Sequence, residues 1–204
     1  GRDFIHEINE DGTWNWRGIK TELKKISPPA LTGTSQIYNA SGVLAVLEAV
    51  GYGSLSNAAS VGSVLSGTRL DGRFQQVKEK WILDVAHNPE AARALASLLD
   101  EINVQGDVTV IIGMLQDKDV KGFVVPLAST VNSFIAVTVP GARGTAADEI
   151  ARHIANSSGK PCLLKSDLVE ALEHANANSN NDDRIVVTGS FHVVGPALEW
   201  LHAN

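Results

Sequence analysis

In WILDVAHNPE, residues 81–90, an apolar run carries Asp84 near its end, and His87, Asn88 and Pro89 follow before an alanine-rich stretch begins. An ionised aspartate only accepts hydrogen bonds, so one held rigidly suits the hydroxyl or N–H groups of a ligand. A histidine three residues on can donate, accept or move a proton near neutral pH. Both residues also have plainer uses: Asp84 can orient a loop by bonding backbone N–H groups, and His87 can be a satisfied, half-buried ring. Similar groups follow other apolar runs. VTVIIGM leads to Gln116, Asp117 and Lys118, SFIAVTV leads to Arg143 in PGARG, and RIVVTGS leads to Ser190 and His192. For these the plain alternatives are helix caps at Asp117 and Asp119, solvated charges at Lys118 and Arg143, and a helix start at Ser190 and His192.

Something must bring these groups together. The runs FQQV, WILDV, VTVIIGM, SFIAVTV, PCLL and RIVVTGS alternate with helix-length patterns at about 89–102, 119–130, 146–157, 167–177 and 193–203. Near-continuous Val, Ile and Leu mark strands covered on both faces, as a parallel sheet requires. Alternation with helices predicts an α/β unit, a doubly wound and mostly parallel six-stranded sheet, over residues 71–204. FQQV is short and polar, which suits an edge. Asn88 can cap a helix that has Pro89 in its first turn, with Ala92, Leu95, Leu99 and Ile102 on one face. Ligands of such sheets bind beyond the carboxyl ends of the strands, at a topological switch point. Asp84, His87, Lys118, Arg143, Ser190 and His192 all fall on that one rim.

Residues 1–70 follow another rhythm. GRDFIHEI and GTWNWRGIKTEL alternate around the turn EDGT and predict an antiparallel hairpin. YNASGVLAVLEAVG predicts one helix, with Asn39 as candidate N-cap and Gly51 just past its end. A hairpin with one or two helices is too little to close a core. This part is therefore expected to be the tail of a larger domain, joined to the second by a linker at Leu70–Arg73.

Composition narrows the partners. A net charge of −6 argues against a broad nucleic-acid surface, which needs clustered Lys and Arg. No apolar run is long enough to cross a bilayer, and GRDFIHEINEDG does not resemble a signal peptide, so no membrane partner is expected. Cys162 is the single cysteine, which excludes an internal disulfide; in PCLLK it is expected to be buried and inert, in a cytoplasmic protein. There is no G-x-x-x-x-G-K-[ST] phosphate loop and no His/Cys/acid set with metal-ligand spacing, so no metal is assigned to these residues.

Taken in order, GRDF, LTGTSQIYNASGVLAVLEA, DGRFQQV, LDVAHNPEAARAL, IGMLQDKD, GARGTAADEI and VVTGSFHVVGPALEWL span essentially the whole chain. That series resembles the folylpolyglutamate synthase/dihydrofolate synthase family, within the Mur-ligase-like ATP-dependent amide ligases. The pattern Asp-x-Ala-His-x-Pro is shared across Mur ligases, and GRFQ, DKD and GSFH point to the folate branch. The resemblance implies a Rossmann-like Mur ligase C-terminal domain at 71–204, preceded by the C-terminal part of the central ATP-binding domain at 1–70. It also implies that the phosphate loop and the Mg2+ ligands lie in an N-terminal domain outside this chain, so that these residues alone are inactive.

The activity implied is ATP-driven ligation of L-glutamate to dihydropteroate or a reduced folate through an acyl phosphate, by a monomer. By the same resemblance, Asp84 takes hydrogen bonds from the ribose of ATP. Arg73 of GRF and Asn39 of YNAS contact the nucleotide, the former across an interdomain cleft. His87 is both a nucleotide contact and the catalytic candidate, and Ser190 and His192 serve the glutamate or folate-tail side. Ser35 stands where the family often has histidine, and Val85 where it often has glycine. Two rival readings are a muramyl-peptide ligase of the same superfamily and a nucleotide-binding module without catalysis.

Overall fold

Residues 2–31, 33–52, 55 and 57–204 are described by a computed structural model, in which the chain divides into two units, Gly1–Leu70 and Asp71–Asn204. In the first unit β1 (Ile5–Ile8), β2 (Trp14–Arg17) and β3 (Glu22–Ile26) form an antiparallel sheet in the order β1-β2-β3. Period-two alternation sends Trp14 and Trp16 to one face, where both are fully buried with Leu23 and Ile26. The expected hairpin thus gains a third strand, because GTWNWRGIKTEL breaks in the middle. The carboxylate of Glu48 satisfies that break by accepting the N–H groups of Ile19, Lys20 and Thr21.

Glu48 belongs to α1 (Thr34–Ala49), which starts a full turn before the expected cap. Asn39 is therefore not an N-cap. Gly33 occupies that position, without a side-chain bond. The cause is packing: Ile37, Ala40 and Leu44 form one stripe buried with the two tryptophans, which carries the helix back past Asn39. Gly51, at φ 72°, ends the helix as expected, its N–H on the Glu48 carbonyl. Next comes α2 (Ala58–Gly67), capped by Asn57, whose side chain accepts from Ala59 and Ser60.

The second unit runs β4 (Gln75–Val77), β5 (Trp81–Asp84), α3 (Pro89–Glu101), β6 (Val108–Ile112), α4 (Val120–Leu127), β7 (Ser133–Val137), α5 (Ala147–Ser158), β8 (Cys162–Lys165), α6 (Leu168–Ala177), β9 (Arg184–Thr188) and α7 (Phe191–Ala203). Its sheet has the order β4-β5-β9-β6-β7-β8, parallel throughout except where β4 meets β5. Ile82, Val110, Ile112, Phe134 and Val186 pack under α3, α4 and α5 on one face; Leu83, Ile111, Ile135, Ile185 and Val187 pack under α6 and α7 on the other. Burial on both faces is why the central positions of these strands are apolar with little alternation. Asn88 caps α3 through the N–H of Ala91, and Asp119 caps α4 through that of Gly122.

β8 is an edge with one neighbour, and Leu163 and Leu164 stay exposed there. Cys162 is accordingly half-buried rather than enclosed, and burial pushes its thiol upward in pKa. β9 lies between β5 and β6. The connections after β5 and β6 leave on one face and the helix after β9 on the other, so a crevice opens where Asp84 pairs in register with Thr188.

At the opposite end of the sheet Asp183 ties two loops, accepting from the backbone of Asn180 and of Asp107, each at 2.8 Å. Those bonds, helped by Lys80 and Arg184, hold its carboxyl below the usual carboxylate range. The native value lies below the unfolded one, so this stabilisation is complete above the unfolded value and is lost as pH falls through the native one. Asp183→Asn is expected to lower the thermal midpoint at neutral pH. The gap from wild type, followed by circular dichroism, is expected to hold while pH stays above the unfolded carboxylate value of about 3.9 and to narrow progressively toward the acid end below it. A gap that persists at the acid end would assign the effect to something other than this carboxylate.

Candidate functional site

The rim is built on the turn Asp71-Gly-Arg-Phe74, which is bonded to the exit of β5 at two points. The Gly72 carbonyl accepts from Val85 N–H at 2.9 Å, and Phe74 N–H donates to Asp84 Oδ2 at 2.8 Å. Gly72 has φ 69°, and a Cβ there would lie 2.8 Å from Val85 Cγ1 and 3.0 Å from Val194 Cγ1. Glycine is required both for the conformation and for the space. Phe74 is left-handed too, at φ 44°, and its side chain is buried. A non-glycine residue held there costs about 1–2 kcal/mol, which the bond to Asp84 and the buried ring must offset. Gln75 adds a brace, accepting from Gly72 N–H and donating to Asp71.

Asp84 is thus occupied on both oxygens. Oδ1 takes Ala86 N–H at 2.8 Å, so the carboxylate staples the turn to the strand exit. The plain use of this residue is real. It does not exhaust the group, because each carboxylate oxygen can accept a second bond and the side chain is only partly buried. Burial pushes its pKa up, against the two backbone N–H groups and the charge of Arg73, which pull it down. Arg73 itself is exposed between the two residues that fix the turn, its guanidinium carbon 5.9 Å from the centre of the Phe191 ring.

His87 Nδ1 lies 2.8 Å from the carbonyl of Val85. A carbonyl can only accept, so Nδ1 carries the hydrogen and Nε2 is left to a ligand. The loop bearing it is tied to β9, since the Ala86 carbonyl accepts from Gly189 N–H at 3.0 Å and from Thr188 Oγ1 at 3.2 Å. Gly189, at φ 102°, could not carry a Cβ, which would fall 2.6 Å from the Gly113 carbonyl oxygen. Ser190 is buried and caps α7 by accepting the N–H of His192, whose own side chain is exposed. The plain reading of Ser190 is therefore also realised.

Asp84, Arg73, His87, Ser190 and His192 come together at the crevice beside β5 and β9. Farther along the rim, Asp117 pairs with Lys118 at 2.9 Å and Arg143 at 3.4 Å, and Gln116 bonds the backbone of Arg143 and Gly144. Lys118, chiefly, holds the Asp117 carboxyl below the usual range. Asp117 is thus an ion-pair partner, and only Asp119 acts as the cap. Asn39 lies in the first unit, exposed on the second turn of α1, with its amide donating to Gln36 Oε1. Phe191 escaped the sequence reading. The available signal was an aromatic next to a capping serine, where a helix start makes no demand for one.

Among the described residues no group of three or more His, Cys, Asp or Glu side chains could hold a metal ion, and no helix is long and apolar enough to cross a membrane.

Comparison with known proteins agrees with this architecture. A family model described as "Mur ligase, glutamate ligase domain" matches residues 72–191. The dihydrofolate synthase/folylpolyglutamate synthase of Escherichia coli (strain K12) is 36% identical over 168 residues, 81% of this chain and 38% of that protein. The structure of E. coli FolC in complex with DHPP and ADP superposes with a TM-score of 0.87 at 29% identity, covering 100% of this chain and 47% of the other. A bifunctional folylpolyglutamate synthase/dihydrofolate synthase from Yersinia pestis, complexed with AMPPNP and Mn ion, gives 0.84 at 32% identity, covering 98% and 46%. The chain spans less than half the length of these relatives. Matched over more than half of its residues by that model, on the same unit that forms the six-stranded sheet, the chain belongs to the Mur ligase family through the glutamate ligase domain.

Proposed function

We propose that the protein containing this chain is an ATP-dependent ligase that adds L-glutamate to dihydropteroate, to reduced folates, or to both. The γ-phosphoryl group passes from ATP to a substrate carboxylate, giving an acyl phosphate and ADP. The glutamate amine attacks the acyl carbon, and phosphate leaves as the amide forms. Positioning and charge neutralisation dominate such phosphoryl steps. The observation that carries the reading is Arg73 set beside Asp84 at the switch point of a sheet of this family, a cation on a braced turn next to the strand-end carboxylate that anchors that turn.

In this reading Asp84 accepts from the ribose hydroxyls, Arg73 meets phosphate oxygens, and Asn39 is a further nucleotide contact. His87, with Nε2 free, is the catalytic candidate beside the nucleotide, and Ser190 and His192 serve the glutamate or folate tail. Residues 1–70 are the C-terminal part of a central ATP-binding domain, and 71–204 the C-terminal domain. The reaction calls for Mg2+, to which no residue of this chain is assigned. The enzyme works in the cytoplasm as a monomer.

Glutamate ligation by the full-length protein, with dihydropteroate and tetrahydrofolate compared side by side, tests the proposal. Glutamate-dependent ADP release and one added glutamate per turnover are expected with at least one of them. Absence of both products with either acceptor would sink the folate assignment.

A further inference from the structure

We propose that Phe191 is the positioning residue of Arg73, a ring that holds the guanidinium in place over the rim. The inference rests on the reading of Arg73 as a nucleotide contact and adds what makes that contact effective. An exposed arginine on a turn normally samples many rotamers, and here the backbone on both sides is fixed by the Gly72–Val85 and Phe74–Asp84 bonds. Among the described residues the guanidinium makes no hydrogen bond and no ion pair within 4 Å; its close partner is the Phe191 ring, at 5.9 Å.

That ring is 61% exposed, a placement that burial does not explain. Its own backbone is anchored, because Ser190 caps the helix it begins and Gly189 is bonded to Ala86. Two rigid points therefore bracket one flexible cation. A carboxylate partner would consume the N–H edges of the guanidinium. An aromatic face attracts the charge and leaves those edges for oxygen acceptors of a ligand.

The test compares Phe191→Leu, which keeps apolar bulk without a π face, with Phe191→Tyr, which keeps the face. Each is made in the full-length enzyme with Arg73 present and in an Arg73→Ala background. With Arg73 present, Phe191→Leu is expected to raise the KM for ATP about 3- to 5-fold while kcat and the KM for glutamate hold, and Phe191→Tyr to stay within about twofold of wild type. In the Arg73→Ala background Phe191→Leu is expected to add nothing. A leucine defect of equal size in both backgrounds, or leucine matching wild type, overturns the inference.

NMR separates this failure from that of the underlying reading. The ring current of Phe191 is expected to shift the Arg73 Hδ resonances upfield in wild type and in Phe191→Tyr, and not in Phe191→Leu. A missing shift in wild type overturns the stack itself. A present shift with unaltered ATP kinetics in Arg73→Ala sinks the nucleotide role of Arg73 and leaves the packing standing.

Discussion

Arg73→Ala is expected to lower kcat/KM for ATP by about 100-fold in the full-length enzyme, with the KM for glutamate unchanged. A hydrogen bond to a charged group is worth about 1.5–3 kcal/mol, and a guanidinium fork can make two to a phosphate, so about 2.7 kcal/mol of lost transition-state binding is in range. The substitution is clean because the turn does not depend on the arginine side chain. Gly72 and Phe74 hold the backbone through Val85 and Asp84, and the side chain is exposed. The thermal midpoint is therefore expected to stay within about 2 °C of wild type. Arg73→Lys keeps the charge and loses the fork, and is expected to fall between. Steady-state kinetics with ATP varied at saturating glutamate checks both variants, and unaltered kinetics in Arg73→Ala would dismiss the phosphate role.

The residues with the plainest structural jobs are also those that face the crevice. Asp84 staples a turn, Ser190 caps a helix, and His87 donates to a carbonyl of its own loop. Such bonds are what a binding site requires of its scaffold, because a side chain locked by backbone partners meets a ligand without further ordering cost. The plain and functional readings are therefore not exclusive at these positions.

The sheet was legible in advance because both its faces are covered. Apolar runs without alternation, each followed by a helix pattern, leave little choice of architecture, and polar FQQV could only be an edge. Asn88 with Pro89 was legible for a local reason, since a cap and its helix are neighbours in sequence. What was missed is non-local. The third strand depends on Glu48, a carboxylate 27 residues beyond the last backbone N–H it accepts. Asn39 was misplaced because Ile37 is buried in one core cluster with Trp14 and Trp16, a placement that no helix signal encodes. Rim residues were found by type and by position after strands. The left-handed Phe74 and the arginine–phenylalanine pair exist only once residues 72–74 and 191 are neighbours.

Asp84→Ala is expected to damage both fold and binding, and the two can be separated. Removing the carboxylate strips the partner from two backbone N–H groups, Phe74 and Ala86, at residues that are both buried. Each orphaned donor costs about 1–3 kcal/mol, so a loss of about 2–6 kcal/mol and a fall in thermal midpoint on the order of 10 °C are expected. With the turn loosened, Phe74 has less reason to keep its left-handed backbone, and Arg73 moves with it. The KM for ATP is then expected to rise about tenfold or more, through the lost ribose bonds and the displaced arginine together. Nucleotide analogues isolate the ribose part. Wild type is expected to discriminate against 2′-deoxy- or 3′-deoxy-ATP by about 10- to 100-fold, the value of one hydrogen bond to a charged group, and Asp84→Ala to accept them as well as it accepts ATP. If neither deoxynucleotide is discriminated against by wild type, or if the ratio survives in the variant, Asp84 is a staple and nothing more. In that case the anion at the mouth of β5 serves the turn that carries Arg73, and the ribose must be held from elsewhere.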